Sequence, residues 1–142
     1  MERASPEFAD ELDAPAEDVD ELGHVSNVAY IRWIQEVAKA HSRAVGWDHD
    51  AYKRLGAVFV VRRHEVDYLA PVYAGERVRL TTWIAGWSAA TSERRTRIVR
   101  AGDGRELCRA STLWALVSLG SGRPRRVPPE IRAAFAFGES GG

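Results

Sequence analysis

The sequence predicts an α+β domain in which one long helix packs against an antiparallel β-sheet, and three observations lead to this fold class. Apolar residues recur every three or four positions over residues 27–45, as on one face of a helix. From residue 58 onward apolar and polar residues alternate, which is typical of strands with one buried face. Glycine and proline separate the alternating segments. A helix followed by such strands favours a helix lying on the concave face of the sheet.

The main helix is predicted over residues 27–45 by a continuous apolar stripe. The members of the stripe are Tyr30, Ile34, Val37, Ala38, His41 and Val45. Ser26 or Asn27 can cap the first turn, because either side chain can accept a hydrogen bond from a free backbone N–H. Gly46 is suited to end the helix, since glycine adopts the left-handed conformation there without strain. At about 1.5 Å per residue the helix is about 28 Å long, enough to cross a small sheet.

Four strands and two short helices are predicted in the rest of the chain. In order they are a helix over 48–55, strands over 58–68, 77–84, 91–100 and 107–119, and a helix over 129–137. We interpret the four strands as an antiparallel meander. Arg62 and His64 fall in phase with the apolar residues of the first of these strands. Either that strand bulges, or the two side chains face a partner or a ligand, and the sequence leaves both interpretations open.

An earlier strand is also expected, which brings the sheet to five or six strands. Residues 8–17 are acidic, alternate only weakly and contain Pro15, so we expect this strand to pair poorly or to lie at the edge of the sheet. No repeat or linker divides the chain. We therefore predict a single domain over residues 1–142, with residues 1–7 and 138–142 flexible.

Composition restricts the function classes. The chain has 142 residues, of which 45% are hydrophobic, and this is enough for a substantial core. The single cysteine, Cys108, excludes both a disulfide within the chain and a cysteine-rich metal site. No stretch resembles a signal peptide or a membrane span. We expect a cytoplasmic protein without membrane contact, and we predict neither a metal nor a cofactor.

The charges are unevenly distributed, although the formal net charge is zero. Residues 1–21 hold nine acidic residues and one basic residue, so the remainder of the chain carries +8. A basic body suits a polyanionic ligand such as a nucleotide phosphate, although solvated surface arginines explain it equally well. The candidates for phosphate contacts, whose guanidinium groups match phosphate oxygens, are Arg62, Arg63, Arg94, Arg95 and Arg97. No basic stripe interleaved with exposed aromatic residues stands out, which disfavours a nucleic acid partner.

The segment with the clearest chemical signal is residues 18–30, DVDELGHVSNVAY, where the early strand should lead into the main helix. It resembles the signature D-x-D-x-x-G-H-V-N-N-x-x-Y of the 4-hydroxybenzoyl-CoA thioesterase-like branch of the hotdog superfamily. It departs from that signature at Ser26, where asparagine is usual. The resemblance continues in residues 61–75, in the strand beginning at Glu76 and in residues 122–128, and it covers most of residues 18–130.

This resemblance implies a hotdog fold, in which a long central helix is wrapped by a curved antiparallel sheet. It implies an acyl-CoA thioesterase that forms a homodimer or homotetramer, with sheets joined edge to edge and active sites at the dimer interface. In the family the main chemistry belongs to the second aspartate of the motif, which is Asp20 here. Backbone amides at the helix start, here those of Val25, Ser26 and Asn27, bind the thioester carbonyl.

Elementary chemistry favours the same segment. Hydrolysis of a thioester needs a nucleophile at the carbonyl carbon and stabilisation of the oxyanion that forms. The ionised carboxylate of Asp20 can attack directly or deprotonate a water. Free N–H groups and the partial positive charge at a helix start can polarise the carbonyl oxygen. Gly23 lets the backbone approach a ligand closely.

Each of these residues also has a purely structural explanation. Asp20 could cap a helix, but Gly23 is unfavourable in the first turn of such a helix, so catalysis is the preferred interpretation. Asp18 is interpreted as a turn or solvated residue. His24 can orient substrate or move a proton, and it can equally be a hydrogen-bonded structural group. Asn27 can bond to substrate or water, or simply cap the helix.

Tyr30 and Trp33 are positioned to line an acyl pocket, although aromatic residues on the apolar face of a helix belong first to the core. In some relatives a basic run follows the tryptophan that matches Trp87 and contacts the nucleotide, whereas this chain has Ser-Ala-Ala at 88–90. The departure leaves room for an acyl carrier protein as the source of the thioester. Two function classes are thus predicted: a thioesterase or, as the alternative, a non-catalytic protein that binds acyl-CoA or acyl carriers.

Overall fold

A computed structural model describes residues 4–136, which form a five-stranded antiparallel sheet and three α-helices. The elements in chain order are β1 (Phe8–Asp13), a 3₁₀ turn (Ala16–Asp18), α1 (Asn27–Ala44), α2 (His49–Leu55), β2 (Ala57–Tyr68), β3 (Arg77–Trp87), β4 (Thr91–Arg100), β5 (Glu106–Ser118) and α3 (Pro129–Ala136). The predicted α+β class is confirmed. Phe137, which we expected to end the last helix, lies outside the described residues.

Helix α1 begins and ends where the sequence predicts. Ser26 is its N-cap, and the Ser26 hydroxyl accepts a hydrogen bond from the N–H of Ala29 at 3.3 Å. The helix ends at Ala44, two residues before Gly46, whose φ of +94° breaks the helical path. The predicted apolar stripe is buried except for Val45, which is half-buried. Tyr30, Ile34 and Val37 of this stripe and apolar residues of β3, β4 and β5 belong to the larger of two hydrophobic clusters, whereas Val45 packs against the smaller one. None of the described helices is long and apolar enough to cross a membrane.

The sheet has the order β1-β3-β4-β5-β2. The predicted meander is correct for β3, β4 and β5, which are joined by short turns, but it is wrong for β2. Strand β2 pairs with β5 and lies at the sheet edge. The connection of residues 69–76 is longer than a usual hairpin loop. Fully extended, it reaches about 26 Å, more than the roughly 15 Å across three strand spacings.

Strand β2 contains a bulge that accounts for its broken alternation. The register with β5 shifts between Val61 and Arg63, so Arg62 is the extra residue. The bulge is thus the first of the two interpretations that the sequence left open for Arg62 and His64. Beyond the bulge His64 lies opposite Thr112, and its Nδ1 is 2.9 Å from the Thr112 Oγ1.

Strand β1 is an edge strand, as expected, and pairs with β3 over its full length. Its acidic character is matched by arginines on β3. Arg77 contacts Glu11 at 2.9 Å and Asp13 at 3.0 Å, and Arg79 contacts Glu11 at 3.3 Å. Such exposed ion pairs each contribute only about 0–1 kcal/mol. Before β1, Ser5 is buried and exchanges hydrogen bonds with the backbone of Ile84.

Candidate active site

A tight loop precedes helix α1. Val19 and Val25 pair as an antiparallel bridge at its base. Within the loop the N–H of Asp20 donates to the carbonyl of His24 at 2.9 Å, and the N–H of Gly23 donates to the carbonyl of Asp20 at 3.0 Å. Gly23 has a φ of +89°, a conformation that a residue with a side chain adopts only with strain. The glycine therefore determines where the chain reverses, and with it the position of Asp20.

The carboxylate of Asp20 is half-buried and is fixed by its own loop. Its Oδ1 accepts a hydrogen bond from the N–H of Leu22 at 2.9 Å. Within residues 4–136, no basic side chain forms an ion pair with Asp20. The charge on this carboxylate is thus not balanced by a structural partner, and the carboxylate can act on a ligand.

Asp18 anchors the loop to helix α1, which corrects the expectation of a turn or solvated residue. Asp18 is only 7% exposed. Its Oδ2 accepts hydrogen bonds from the guanidinium of Arg32 and, at 3.2 Å, from the Trp33 indole N–H. Its carbonyl accepts from the N–H of Ser26 at 2.9 Å. Asp18 therefore joins the loop to the start of α1 through both its carboxylate and its backbone carbonyl.

The backbone amides at the start of α1 are partly occupied. The N–H of Val25 donates to the carbonyl of Val72 at 2.7 Å, and the N–H of Ser26 donates to Asp18. Ala29 bonds to Ser26 through its N–H. Among residues 4–136, neither the amide of Asn27, the third that the sequence suggested for a carbonyl, nor the next amide, that of Val28, has a backbone acceptor. Both are first-turn N–H groups, which have no acceptor within their own helix.

Exposed apolar side chains surround the loop. They are Leu22 (75% exposed), Val28 (76%), Tyr68 (42%), Leu69 (45%) and Tyr73 (48%). The Tyr68 hydroxyl lies 3.5 Å from the Asn27 carbonyl, so the end of β2 reaches the start of α1. Apolar side chains gathered in this way commonly mark a surface that a ligand or another subunit covers.

The profile of the thioesterase-like superfamily matches residues 14–135. The chain belongs to the thioesterase-like superfamily. This membership confirms the predicted family and the predicted enzyme class, thioester hydrolase. None of the curated proteins matches the chain by sequence.

Solved structures share the fold of this superfamily member at low sequence identity. A 1,4-dihydroxy-2-naphthoyl-CoA thioesterase from Synechocystis is 19% identical, with a TM-score of 0.84 over 92% of this chain and 96% of that one. A DHNA-CoA thioesterase from Staphylococcus aureus is 19% identical, with a TM-score of 0.83 over 91% and 88%. A Staphylococcus aureus protein solved in complex with CoA is 14% identical, with a TM-score of 0.87 over 94% and 84%.

The structure brings the motif residues of this superfamily member together. Asp20, Gly23 and His24 lie in the loop, and Asn27 opens α1. His24 is half-buried, and its Nδ1 lies 3.5 Å from the carbonyl of Val25. The Asn27 side chain is exposed, and the cap of α1 is Ser26 instead. The structural explanation of Asn27 as the cap is thus wrong, and its side chain is accessible to a ligand.

Tyr30 lies behind the site and not on its surface. It is 3% exposed, its ring contacts Tyr68 and Trp33 edge-on, and its hydroxyl donates to the Ala70 carbonyl at 3.4 Å. Burial raises the pKa of Tyr30 to about 12, so the phenol stays neutral. Within the described subunit Tyr30 supports the wall behind the loop, which argues against its predicted contact with substrate.

The arginines proposed for phosphate contacts divide into two groups. Arg62 and Arg63 are exposed on edge strand β2, where Arg63 pairs with Glu65 at 2.7 Å. Arg94, by contrast, is only 4% exposed and lies on the inner face of the sheet. Among residues 4–136 no group of three or more His, Cys, Asp or Glu is arranged to hold a metal ion.

The positive φ of Gly23 predicts the effect of replacing this residue with alanine. No atom lies within 4 Å of a Cβ added there, so Gly23→Ala introduces only backbone strain. We expect the free energy of unfolding to fall by about 1–2 kcal/mol and hydrolysis to weaken as Asp20 moves, measured by urea denaturation and steady-state rates. Gly102→Ala is the matched control, because Gly102 also has open space around it but has no positive φ. Equal effects of the two substitutions would contradict the assigned role of Gly23.

Proposed function

We propose that this protein hydrolyses acyl-CoA thioesters, with the Asp20 carboxylate as the nucleophile or general base. The observation that carries the proposal is the juxtaposition of a carboxylate without an ion-pair partner and a helix start with available amides. Asp20 is held by Leu22 at 2.9 Å, and its loop is joined to α1 through the Asp18–Ser26 hydrogen bond. The superfamily membership supports the reaction type.

In the proposed general-base route, the Asp20 carboxylate takes a proton from water while the water oxygen bonds to the thioester carbon. The N–H groups of Asn27 and Val28, aided by the partial positive charge of the helix start, stabilise the oxyanion. Collapse of the tetrahedral intermediate breaks the C–S bond, and the thiolate receives the proton. In the nucleophilic route the carboxylate oxygen itself attacks the carbon, and the C–S bond breaks to release the CoA thiolate and leave a mixed anhydride. Water then hydrolyses the anhydride, which restores the carboxylate, and the thiolate receives a proton.

We further propose that two copies join along β2, so that α1 becomes the central helix of the curved hotdog sheet in each subunit. Three features support this arrangement. Strand β2 is 12 residues long and lies at the sheet edge, and long unprotected edges invite pairing. Val60, on β2, is 37% exposed, and the apolar side chains around Asp20 also lack cover in one subunit. A dimer or a pair of dimers would bury both surfaces.

A charge placed on this edge tests the dimer. We expect Val60→Lys to weaken self-association by at least about tenfold, because two-fold pairing brings the new charges close together. Sedimentation velocity across a concentration series would measure the shift toward monomer. Ala101→Lys, in the exposed β4–β5 turn, provides the control. A Val60→Lys protein that associates as tightly as the control would exclude β2 as the contact.

The proposed substrate is a coenzyme A thioester. The Staphylococcus aureus protein with a similar fold was solved with CoA, and the residues after the first 21 carry +8, which suits a polyphosphate ligand. A screen of short, medium, long and aromatic acyl-CoAs, run beside carrier-linked thioesters, tests this. Hydrolysis of CoA thioesters supports the proposal. Hydrolysis of carrier-linked thioesters alone would change the proposed substrate to a thioester carried by an acyl carrier protein. Binding without hydrolysis would favour a non-catalytic cytoplasmic protein that binds acyl-CoA or acyl carriers.

A further inference from the structure

A cavity of about 360 Å³ lies beside the C-terminal half of α1. Its aromatic lining consists of Trp47, Tyr52, Phe59, Trp87, Trp114 and Phe135. On α1 it is lined by residues of 38–43, and none of the residues 18–26 contributes to it. Ser42 lies about 22 Å along the helix from Asn27, at 1.5 Å per residue. In one subunit this cavity is therefore separate from the Asp20 loop.

Arg94 contributes a buried positive charge to the cavity wall. Its Nη1 lies 2.9 Å from the Nδ1 of His41 and 3.0 Å from the Oγ1 of Thr82, and its guanidinium carbon lies 5.6 Å from the Phe135 ring centre. Both polar partners are neutral groups, since burial and the Arg94 charge lower the pKa of His41 to about 3. Within the described residues Arg94 has no ion-pair partner. A buried charge in this situation is unfavourable unless an anion joins it.

The same cavity wall contains a second hydrogen-bond donor besides Arg94, the indole N–H of Trp114. Its indole N–H is buried and has no hydrogen-bond partner within the described residues. Trp114 lies opposite Ser92 in the β4–β5 register, and Ser92 is two residues from Arg94. Side chains two apart on a strand share a face with the residue opposite. Trp114 and Arg94 therefore lie on neighbouring strands with their side chains on the same face of the sheet, and both residues line the cavity.

The cavity entrance favours anions. Lys39 and Arg43, both exposed on α1, line it together with His49. The acidic residue on this rim, Asp48, caps α2 by accepting from the N–H of Ala51 at 2.9 Å. Basic side chains at the entrance attract an anion, and the aromatic walls suit an apolar body.

We propose that this cavity binds an organic acid, whose aromatic or branched apolar body packs among the rings and whose carboxylate accepts hydrogen bonds from Arg94 and Trp114. A carboxylate matches the planar guanidinium fork, and it leaves acceptor capacity for the indole N–H. The binding site goes beyond the proposed hydrolysis, because it uses no residue of the Asp20 loop. The carboxylate can belong to a free acid or to the far end of an acyl group that is still attached to coenzyme A.

Calorimetric titration of the full-length protein tests the proposal. The probes are benzoate, 2-naphthoate and a branched short-chain acid, each compared with its neutral amide, together with the CoA monothioester of an aromatic dicarboxylic acid. We expect at least one acid to bind about tenfold or more tightly than its amide, because only the anion pairs with the guanidinium. Binding of the free acids identifies the free-acid source, whereas binding of the monothioester alone identifies the acyl-group source.

Two substitutions assign the binding to the named donors. Arg94→Gln should remove the preference for acid over amide, and Trp114→Phe, which keeps a ring in the wall, should weaken acid binding several-fold. Arg95→Gln is the control, because Arg95 is exposed on the other face of β4 and bonds to Glu93. If Arg94→Gln fails to fold, Trp114→Phe carries the test.

Three results would overturn the site. They are acids that bind no better than their amides, acid binding that is unchanged in Trp114→Phe and Arg94→Gln, and acid binding that is lost in Asp20→Asn. The last result would put the acid at the catalytic loop. Retained acid binding in a protein that hydrolyses no thioester would support the cavity site and refute only the proposed function.

Discussion

We expect Asp20→Asn to lower kcat for acyl-CoA hydrolysis by about 10²–10⁴-fold, the usual contribution of a general base, while the Kd for substrate changes little. An amide of the same shape can still accept from the Leu22 N–H, so the loop keeps its conformation. It can neither take a proton from water nor attack the carbonyl carbon. Steady-state rates and direct binding of a non-hydrolysable thioether analogue would measure the two effects separately.

Glu21→Gln is the matched control, since Glu21 is the exposed neighbour of Asp20 in the same loop and carries the same charge. A comparable loss of activity in both variants would show that general loop charge matters, and not the carboxylate of Asp20. An Asp20→Asn protein with full turnover would remove Asp20 from the chemistry. Single-turnover hydrolysis in ¹⁸O-labelled water separates the two routes, because only the anhydride route can leave label in Asp20.

Structural features that depend on residues close together in the sequence could be predicted, whereas features that depend on contacts between distant residues could not. Helix α1 could be predicted closely because periodicity and the Ser26 cap are local features. The edge position of β2 could not, because the eight residues that follow it allow either neighbour. The bulge at Arg62 was one of two open interpretations, and only the register with β5 favours it.

For the candidate site, too, the local features could be predicted and the long-range contacts could not. The segment of residues 18–30 carries the loop, Gly23 and Asp20 because they are adjacent in sequence. The occupied amide of Val25 depends on Val72, and the burial of Asp18 depends on Trp33, contacts that no local pattern encodes. The burial of Arg94 could have been predicted from its position in β4. It falls in phase with Ser92, Thr96 and Ile98 on β4, all of them buried, whereas Arg95 and Arg97 fall on the other face.

Acid should destabilise this protein well above the pH at which carboxylates titrate, because of His41. This side chain is 2% exposed and packs between Phe8 and Phe135, and within residues 4–136 the charged group in contact with it is the Arg94 guanidinium at 2.9 Å. Burial, and secondarily the Arg94 charge, lower the pKa of His41 from 6.5 to about 3. Burial also lowers the pKa of His64, which acts in the same direction.

The sign of the effect follows from proton uptake. Below pH 6.5 the unfolded chain protonates His41 and the folded chain does not, so the free energy of unfolding is unaffected above this value and decreases as the pH falls toward 3. We expect a limiting slope of about 1.4 kcal/mol per pH unit from this one group. Urea denaturation between about pH 7 and pH 4.5, above the range of most carboxylates, would measure it.

Comparing slopes, and not absolute stabilities, isolates His41. We expect His41→Gln to flatten the pH dependence, because glutamine can still accept from Arg94 but binds no proton in this range. Ser42→Ala removes the hydrogen bonds to Trp47 and Tyr52 without removing a titrating group, so it should lower stability and leave the slope intact. If the His41→Gln protein keeps the wild-type slope, the histidine is already protonated in the folded state. Arg94 would then lose its neutral acceptor, and the uncompensated charge in the cavity would be larger still.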